Sequence, residues 1–595
     1  MTTTPAMIIP GQVLRAGALE TLFDPATGAL RYLHVGAHEV LRGISAPVRG
    51  RAWETVPPEI AGLEIEQAAD GFQVRFEARC RQGEIDFRWR GRITARAEGA
   101  LEYDFEGEAL RDFERCRIGF CILHGAPLAG QSCTVEHVDG RGEAGCFPAS
   151  IQGTAPFLDL RAIAHEVAPG LRAEVRMEGD AFEMEDQRNW GDASFKTFCT
   201  PLRLPRPVRV TRGTRVRQNI TVRLLGRAEA APAAFSPPWS APPEVRLDVG
   251  APLAAALPRL GVVWAEPAVV PATLAALRAL PLSHLRVDVR LRDPGAVAKF
   301  ACAADATRAL GLRLEAALFV DCETHAIGER AHRLIAAAAP SVPMARWLLL
   351  PEADEAIRPD AIAALRAALA GTPHGAAIGV GATDNFTELN RHAEVARGGD
   401  FPVYATNPQV HATDEASIIE TLAMHETMAI AAGRLAGKAP VVSPITLARR
   451  WRIGEDGAPA GDAPYLLPFQ ADQRHASAFC AAWALGSLAA HTRGSTAACT
   501  YFETSGANGL LDPAGAPRPV HAMFASLRGW RDATPFATTS SHRWSVDGLA
   551  LEAGRRRAVA LANFRGVPQR VRVTGAWGEH VVTLAPHATA IVRCD

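Results

Sequence analysis

The amino-acid sequence predicts a multidomain protein with an N-terminal antiparallel β-sandwich, a central (β/α)8 barrel of the TIM type and a small C-terminal β domain. Short runs of alternating apolar and polar residues, typical of half-buried strands, fill residues 1–228. Apolar strands then alternate with Ala/Leu/Arg-rich helical stretches over 246–535, and residues 536–595 return to strand-like runs. The Ala/Pro-rich stretch 229–245 is the predicted linker.

The two β domains are recognised by short runs bounded by Gly, Pro and Asp. In the N-terminal domain these runs are LRYLHV, FQVRFEARC, EIDFRWRGRITA, ALEYDFEG, RCRIGFCILH, LRAEVRM and VRQNITVRLL. Strands at this spacing, with turn residues between them, predict a large antiparallel sandwich. In the C-terminal domain the runs are HRWSVDGLALEAG, RRAVALANF, QRVRVTG and ATAIVRC, to which we assign no chemistry.

The central region contains eight strand candidates with helical stretches between them. Eight βα units over this length match a (β/α)8 barrel, which typically takes ~250 residues. A doubly wound sheet is the alternative, but it predicts a Gly-rich phosphate loop after an early strand, and none follows RLGVV. The candidates are RLGVV (259–263), HLRVDV (284–289), RLEAALFV (313–320), ARWLLL (345–350), AAIGVGA (376–382), FPVYA (401–405), APVVS (439–443) and AACTYF (497–502).

Composition narrows the class of protein. The 595 residues are 48% hydrophobic and 21% charged, with a formal net charge of −1, as in a soluble globular protein. Interspersed charges give no electrostatic case for nucleic acid or an anionic membrane, and no apolar run approaches the ~20 residues of a membrane span. The composition therefore predicts no nucleic-acid partner and no membrane partner, and the oligomeric state stays open.

The N-terminus and the cysteines predict a cytoplasmic location. MTTTPAMIIPGQ lacks the basic region and apolar segment of a secretory signal. The eleven cysteines are scattered, odd in number and never spaced as CxxC. This pattern fits reduced thiols better than a disulfide framework or a zinc site.

A barrel of this kind collects its active residues at the carboxyl ends of its strands. Acidic and amide side chains dominate those ends here, with Trp and His among them. Because carboxylates and amides hydrogen-bond hydroxyl groups, the mixture suits a neutral polyhydroxylated ligand. In strand order the candidates are Trp264 and Glu266; Arg286 and Asp288; Asp321, Glu323 and His325; Glu352; Asp384 and Asn385; Asn407 and His411; Ser443 and Thr446; and Glu503.

Glu352 and Glu503 are the two acids that directly follow strong strands. Such a pair in a barrel can act as general acid and general base, so we predict that these two are the catalytic residues. Asn385, Asn407 and His411 are predicted substrate contacts on the same rim. The alternative for each acid is a carboxylate bound to a neighbouring Arg or strand-end amide, without a part in the chemistry.

The segment 183–200, EMEDQRNWGDASFKTFCT, combines dense charge with aromatic residues. Aromatic surface favours burial and buried charge must be paired or bound, so we interpret this segment as a folded polar site. We expect it to leave the sandwich and reach the barrel mouth, where Asp186, Asn189, Trp190 and Lys196 would line the substrate pocket. The alternative is a salt-bridge cluster between domains.

We predict no metal and no other cofactor, with a metal site left open as the alternative. His411 stands close to Asp414, and Asp321 and Glu323 stand close to His325, but HExxH and HxH spacings do not occur. No GxSxG elbow of a serine esterase is present.

Six motifs follow one another along the chain. Three are EDQRNWGDASFKTF (185–198), VVSPITLARRW (441–451) and DQRHASAFCAAWALGSLAAHTRGSTAACTYFETSG (472–506). Three more, CRIGFCILH (116–124), HVDG (137–140) and FPASIQGTAPFLDLRAI (147–163), lie in the β-rich part. Together they resemble bacterial D-apionate lactonases over most of the chain, through about residue 530. The resemblance implies an enzyme that opens the lactone of the branched sugar acid apionate in apiose catabolism.

One position departs from that resemblance. After YFETSG the resemblance leads us to expect a bulky Trp-Arg pair, whereas Ala507 and Asn508 stand there in this chain. The particular lactone is therefore left open at this stage.

Three functional hypotheses follow. The first is a sugar-acid lactonase in which Glu352 or Glu503 activates water and Asn385, Asn407, His411 or Lys196 steadies the carbonyl oxygen or the hydroxyls. The second is a glycoside hydrolase whose second carboxylate comes from strand 8 or from the 183–200 segment, because strand 7 ends without an acid. The third is a non-catalytic protein that binds a sugar acid.

Overall fold

The structure is a computed structural model that describes residues 11–51, 53–227, 241–320, 327–337, 342–352, 356–449, 451–452, 467–468 and 471–594. Its residues divide into two units. The sandwich unit comprises Ile9–Arg188 and Ala193–Ser240, and the barrel unit includes Asn189–Asp192 and Ala241–Asp595. Four residues of the 183–200 segment thus belong to the barrel unit, although the residues on both sides of them belong to the sandwich unit.

Antiparallel strands form the sandwich unit. In chain order they are β1 (Gln12–Ala16), β2 (Leu19–Phe23), β3 (Leu30–Val35), β4 (His38–Ser45), β5 (Val48–Gly50), β6 (Thr55–Val56), β7 (Pro58–Gln67), β8 (Gly71–Gln82), β9 (Ile85–Arg96), β10 (Ala100–Ala109), β11 (Phe113–Ile118), β12 (Cys121–Gly125), β13 (Ser132–His137), β14 (Gly142–Cys146), β15 (Leu160–Ala168), β16 (Leu171–Glu178), β17 (Glu183–Asp186), β18 (Ser194–Phe198), β19 (Val208–Val210) and β20 (Arg215–Gly226).

Two large sheets share one core in this unit. Their strand orders are β1-β2-β3-β4-β12-β18-β17 and β14-β13-β15-β16-β20-β10-β9-β8-β7, and β19-β11-β5-β6 form a smaller sheet. In β9 alternate residues such as Phe87, Trp89 and Ile93 are buried, as a period of two requires. Phe23 of β2 packs on Phe76 of β8 with ring centroids 6.1 Å apart. The predicted antiparallel β domain is confirmed.

The barrel unit begins with β21 (Val245–Pro252) and continues through the barrel. The barrel strands are β22 (Arg259–Val263), β23 (Leu282–Arg290), β24 (Arg313–Val320), β25 (Met344–Pro351), β26 (Ile378–Gly381), β27 (Phe401–Thr406), β28 (Val441–Ile445) and, after the short ribbon β29 (Trp451–Arg452) and β30 (Leu467–Pro468), β31 (Ala498–Glu503). The helices are α1 (Pro271–Leu277), α2 (Ala296–Leu310), α3 (Ile327–Ala337), α4 (Pro359–Leu369), α5 (Phe386–Arg391), α6 (Ala393–Ala396), α7 (Glu415–Glu420), α8 (Leu422–Ala436), α9 (Ala478–Arg493) and α10 (Pro519–Ser526).

Eight parallel strands close into a barrel in the order β22-β23-β24-β25-β26-β27-β28-β31. Each of the eight predicted strands overlaps one of these, so the predicted (β/α)8 barrel is confirmed. The strands are nearly continuous apolar runs because parallel strands are covered on both faces. Helices α1, α4 and α10 begin with Pro in the first turn, where the missing N–H costs nothing.

A C-terminal sheet completes the barrel unit. Its strands β32 (Thr534–Ser540), β33 (Val546–Ala553), β34 (Arg556–Asn563), β35 (Gln569–Gly575), β36 (His580–Leu584) and β37 (Thr589–Arg593) join β21 in the order β36-β35-β21-β32-β33-β34-β37. The chain therefore passes through this sheet before it enters the barrel, a connection that the sequence did not indicate. The domain borders drawn from the sequence stay predictions.

Helix α9 joins the barrel to this sheet. Its residues from Phe479 to Thr492 are buried all round, as expected for a helix covered on every face. At its end Arg493 donates to Glu426 of α8 (Nε–Oε2 2.9 Å) and to Asp547 of β33 (Nη2–Oδ2 2.8 Å).

Candidate active site

Glu352 follows Pro351, the last residue of β25, at the end of the barrel where the strands finish. Its side chain is only 4% exposed, and Arg292 forms an ion pair with it (Nη2–Oε2 2.7 Å). Its backbone N–H donates to the carbonyl of Val320 in the neighbouring strand at 2.9 Å. Glu352 and Arg292 line a small cleft together with Leu291, Phe319, Val320, Ile327 and Arg330.

Glu503 is the last residue of β31, and its side chain is half-buried. Its N–H donates to the carbonyl of Asn508 at 3.1 Å, and its own carbonyl accepts from Leu510 at 2.8 Å, so the following turn is closed. The preceding residue, Phe502, has φ 56°, a left-handed backbone conformation that residues other than Gly seldom adopt. Residues held in this conformation are found most often at functional sites.

The strand order places these two acids on opposite sides of the barrel mouth. β25 and β31 are separated by four steps around the eight-stranded barrel in either direction. β27 lies midway between them on one side, two strands from each. Positions 352 and 503 therefore lie across the barrel from each other.

The loop after β27 carries two of the predicted contacts. Asn407, 2% exposed, accepts from the backbone N–H of Gln409 at 3.0 Å. This turn leads to His411, whose Nδ1 lies 2.7 Å from Oδ2 of Asp192. The side chains of His411 and Asp192 are 17% and 18% exposed.

The segment Asn189–Asp192 is held in the barrel unit by several contacts. Asn390 of α5 donates to Asn189 (Nδ2–Oδ1 2.8 Å). The ring of Trp190 meets His411 edge to face, with centroids 5.9 Å apart, and the guanidinium of Arg391 lies 5.6 Å from the Trp190 centroid. Asn189 and Trp190 thus stand beside a loop at the barrel mouth.

Asp186 and Lys196 lie in the sandwich unit. Asp186 forms a fully buried ion pair with Arg188 (Oδ2–Nη2 2.7 Å), with side chains 0% and 3% exposed. Lys196 pairs with Glu185, its cross-strand partner in the β17–β18 hairpin (Nζ–Oε2 2.5 Å). Both residues therefore have a structural partner in their own unit.

Asp384 and Asn385 follow β26. The guanidinium of Arg449 donates to Oδ2 of Asp384 from Nε (3.0 Å) and from Nη2 (2.7 Å). Burial raises the pKa of Asp384 above its ordinary value, and Arg449 opposes that effect. Asn385 is the N-cap residue of α5, and its N–H donates to Glu388 at 2.9 Å, so it helps to start the helix.

A buried polar network fills the barrel below the mouth. Glu315 accepts from Ser443 (Oγ–Oε1 2.5 Å) and lies 3.2 Å from Nε of Arg346, while Arg286 donates to Oδ1 of Asp288 at 2.7 Å. Burial acts to raise the pKa of Glu315, but its charged neighbours outweigh burial and leave that pKa below the ordinary value.

His284 completes this network. Its Nε2 lies 2.9 Å from the hydroxyl oxygen of Thr500, and burial lowers its pKa to about 4. Nε2 of His284 also lies 3.5 Å from Oε2 of Glu315, and His284, Arg346 and Arg286 act together to lower the pKa of Glu315.

The sequence missed two other groups of residues near the mouth. Asp472 accepts from Arg474 (Oδ1–Nε 2.9 Å) and from Gln409 (Oδ2–Nε2 2.9 Å), which ties the loop after β27 to the start of α9. His475 bonds the carbonyl of Gly509 at 3.0 Å, and burial lowers its pKa to about 4.

Asp192 is a further omission. It is one of the acids of the 183–200 segment, but its partner His411 is 219 residues away in the chain. Spacing along a sequence carries no signal for such a contact between two loops.

Of the rim residues predicted from the sequence, Asp321, Glu323 and His325 lie outside the described residues.

Within the described part of the chain, no three His, Cys, Asp or Glu side chains are grouped so that they could hold a metal ion. Among the described helices, none combines the length and apolar character needed to cross a bilayer.

The closed barrel of eight parallel strands defines the fold class of this protein, a TIM-type barrel, and in such barrels the active site lies at the carboxyl ends of the strands. Two family models match the chain: the N-terminal domain of D-apionate lactonase over residues 2–227 and its TIM barrel domain over 259–532. The chain belongs to the D-apionate lactonase family and is a lactone-hydrolysing enzyme.

One relative in particular supports this assignment. The chain is 32% identical to the D-apionate lactonase of Brucella anthropi, over 97% of this chain and 95% of that protein. Among solved structures, a GH30 endoxylanase from Clostridium papyrosolvens matches 59% of this chain and 99% of its own at 9% identity and a TM-score of 0.41. A beta-arabinopyranosidase matches 98% of both chains at 7% identity and a TM-score of 0.29. Structural similarities this low add nothing to the functional argument.

Proposed function

We propose that this protein hydrolyses D-apionolactone to D-apionate in apiose catabolism, in the cytoplasm, with its active site at the barrel mouth. The observation that carries the proposal is the pair of strand-end carboxylates, Glu352 and Glu503, on opposite sides of that mouth. The substrate class rests on the family and on the 32% identical relative named for D-apionate.

Lactone opening needs a base that takes a proton from water and donors that stabilise the oxyanion. In the proposed mechanism either Glu352 or Glu503 is that base. Arg292 orients the carboxylate of Glu352 by the ion pair at 2.7 Å, and the closed turn after β31 fixes the backbone of Glu503.

The remaining predicted contacts form the proposed binding surface. Asn189, Trp190 and His411 contact one another or adjacent residues beside the loop after β27, where amide and imidazole groups can bond hydroxyls and the indole can cover a sugar face. Asn385 and Asn407 are proposed to act from the loops after β26 and β27.

Asp186 and Lys196 stay in the proposal as predicted contacts. Each already has a partner within the sandwich unit. Substitution of these two residues therefore has to be judged against protein stability as well as activity.

A pH-stat assay with D-apionolactone and a panel of aldonolactones tests the proposal. We expect the wild type to accelerate opening of D-apionolactone above the spontaneous rate, and Glu352→Gln and Glu503→Gln each to lower kcat by about 10²-fold or more. The control is Glu329→Gln on α3, which breaks only an exposed pair with Arg333. Absence of acceleration with every lactone would contradict the proposed function.

Aryl glycosides, including apiosides, serve as the comparison substrates. We expect no release of the aglycone from them. Release of aglycone together with inert lactones would instead favour a glycoside hydrolase.

A further inference from the structure

The Asp192–His411 pair is a feature of the mouth that the two glutamates do not explain. Oδ2 of Asp192 lies 2.7 Å from Nδ1 of His411, a distance typical of a charge-assisted hydrogen bond. Both side chains are less than one-fifth exposed, at 18% and 17%, so solvent screens the contact only in part. A carboxylate on Nδ1 orients the ring and stabilises the imidazolium, which then carries a proton on Nε2.

The position of His411 suits proton transfer at the mouth. Its loop leaves the carboxyl end of β27, which lies two strands from β25 with Glu352 and two strands from β31 with Glu503. The edge-to-face contact of Trp190, with centroids 5.9 Å apart, limits rotation of the imidazole. His411 thus has a fixed ring and a fixed partner.

The segment that supplies Asp192 is itself held in place. Asn189 is bonded by Asn390 of α5 at 2.8 Å, and Arg391 of the same helix lies against Trp190. Gly191 has φ 91°, a conformation that favours Gly, and a Cβ on it would lie 3.6 Å from Met428 of α8. The backbone therefore turns sharply just before Asp192.

We infer that His411 is the general acid of lactone opening and that Asp192 is its positioning residue. The inference rests on the proposed lactonase function. A glutamate takes one proton from water as the new C–O bond forms, which gives the tetrahedral intermediate. The ring C–O bond then breaks, and Nε2–H of His411 protonates the leaving alkoxide. The carboxylic acid product ionises, and the proton held by the glutamate returns to His411, so that water is consumed and one proton is released.

A comparison of leaving groups tests this inference. An alkoxide needs protonation as it leaves, whereas a phenolate does not, so loss of a general acid matters mainly for aliphatic lactones. We expect His411→Gln to lower kcat about 10²- to 10³-fold on D-apionolactone but less than about 10-fold on the phenolic lactone dihydrocoumarin. Equal losses on both lactones, or no loss on the aliphatic one, would overturn the role of general acid.

The pH profile of kcat tests the role of Asp192. Among the described residues, Asp192 is bonded to the imidazole, and the guanidinium of Arg391 lies over Trp190, whose ring contacts the imidazole. Removing the carboxylate charge makes the imidazolium less stable, so Asp192→Asn should move the alkaline limb of the profile to lower pH. An unmoved limb would overturn the assignment of Asp192.

Asp414→Asn is the matched control for Asp192→Asn. Asp414 ends the same loop as the N-cap residue of α7 and accepts from the N–H of Ser417 at 3.0 Å. Asn is as good an N-cap as Asp, so this variant should keep the wild-type pH profile.

These experiments distinguish failure of the proposed lactonase function from failure of the general-acid role of His411. A wild type that opens no lactone at all contradicts the lactonase proposal, and with it the role of His411 in that reaction. A wild type that opens lactones while His411→Gln retains its kcat contradicts the general acid alone. The thermal unfolding midpoint of each variant is measured alongside, so that loss of fold is not mistaken for loss of chemistry.

Discussion

Asp186 and Glu329 each accept a hydrogen bond from an arginine, yet their surroundings differ completely. The Asp186–Arg188 pair is 0% and 3% exposed, and Arg188 also donates to the carbonyl of Pro148 at 2.7 Å. The Glu329–Arg333 pair on α3 is 68% and 67% exposed. Removing one partner of a buried pair leaves a buried charge, whereas water screens the exposed pair.

We therefore predict opposite outcomes for two conservative substitutions. Asp186→Asn should lower the free energy of unfolding by about 3–5 kcal/mol, because Arg188 stays buried without its carboxylate. Glu329→Gln should change it by less than about 1 kcal/mol. Urea unfolding followed by tryptophan fluorescence measures both. A stable Asp186→Asn protein with reduced lactone turnover would instead show that Asp186 acts mainly in binding.

Residue types at strand ends were informative for part of the site. Glu352 and Glu503 could be located because a barrel presents the residues that follow its strands at one end. Arg292 could not be assigned to Glu352, nor Asp192 to His411, because neither pair is close in the sequence. Only the folded backbone brings such loops into contact.

At the scale of elements, the pairing of β22 with β23 depends on a glycine. Gly261 lies opposite His284, and a Cβ on Gly261 would lie only 2.1 Å from its Nε2. His284 cannot easily move aside, because Thr500 and Ser283 bond its two ring nitrogens at 2.9 and 2.8 Å. The absence of a side chain at position 261 is thus a packing requirement of the barrel interior.

Gly261→Ala should therefore destabilise the protein by about 1–3 kcal/mol, the usual cost of overpacking a core. Gly433→Ala in α8 is the matched control, and we expect it to raise the stability of the protein. Its Cβ meets nothing closer than 3.6 Å, and Ala is favoured over Gly inside a helix by about 0.5–1 kcal/mol. The denaturant midpoints of the two variants and of the wild type measure these changes. A Gly261→Ala protein as stable as the wild type would contradict the packing requirement at position 261.

At the scale of the whole molecule, buried neutral histidines occur in both units. Burial lowers the pKa of His165 to about 4 in the sandwich unit, and those of His284 and His475 to about 4 and of His425 to about 3 in the barrel unit. In the unfolded chain each would titrate near its ordinary value of about 6.5. The unfolded state therefore binds more protons than the folded state between those values.

This difference predicts acid sensitivity. The stability contributed by the histidines is fully present above about pH 6.5 and is lost as the pH falls towards 4, by up to ~1.4 kcal/mol per pH unit for each histidine. Burial raises the pKa of Glu183 and of Asp384, which acts in the opposite direction but involves fewer groups. Urea midpoints between pH 7.5 and 4.5 should fall steadily.

His425→Gln tests whether the buried histidines cause this loss of stability as the pH falls. His425 is fully buried and its Nδ1 lies 2.9 Å from the hydroxyl oxygen of Ser487, a contact that an amide can replace. The variant should lose less stability than the wild type over the same pH range. If the urea midpoints of the variant and of the wild type fall equally with pH, groups other than His425 take up the protons.

The order of β domain, barrel and β domain could be derived from the sequence, because burial imposes a period of two on the sandwich strands and nearly continuous apolar runs on the parallel strands. Those patterns are local, so each strand carries its own signal. Three features depend instead on contacts between residues far apart in the chain. They are the pairing of β21 with the C-terminal sheet, the position of Asn189–Asp192 in the barrel unit, and the Asp192–His411 contact. They depend on which loops the closed barrel brings together, and that geometry exists only once the chain has folded.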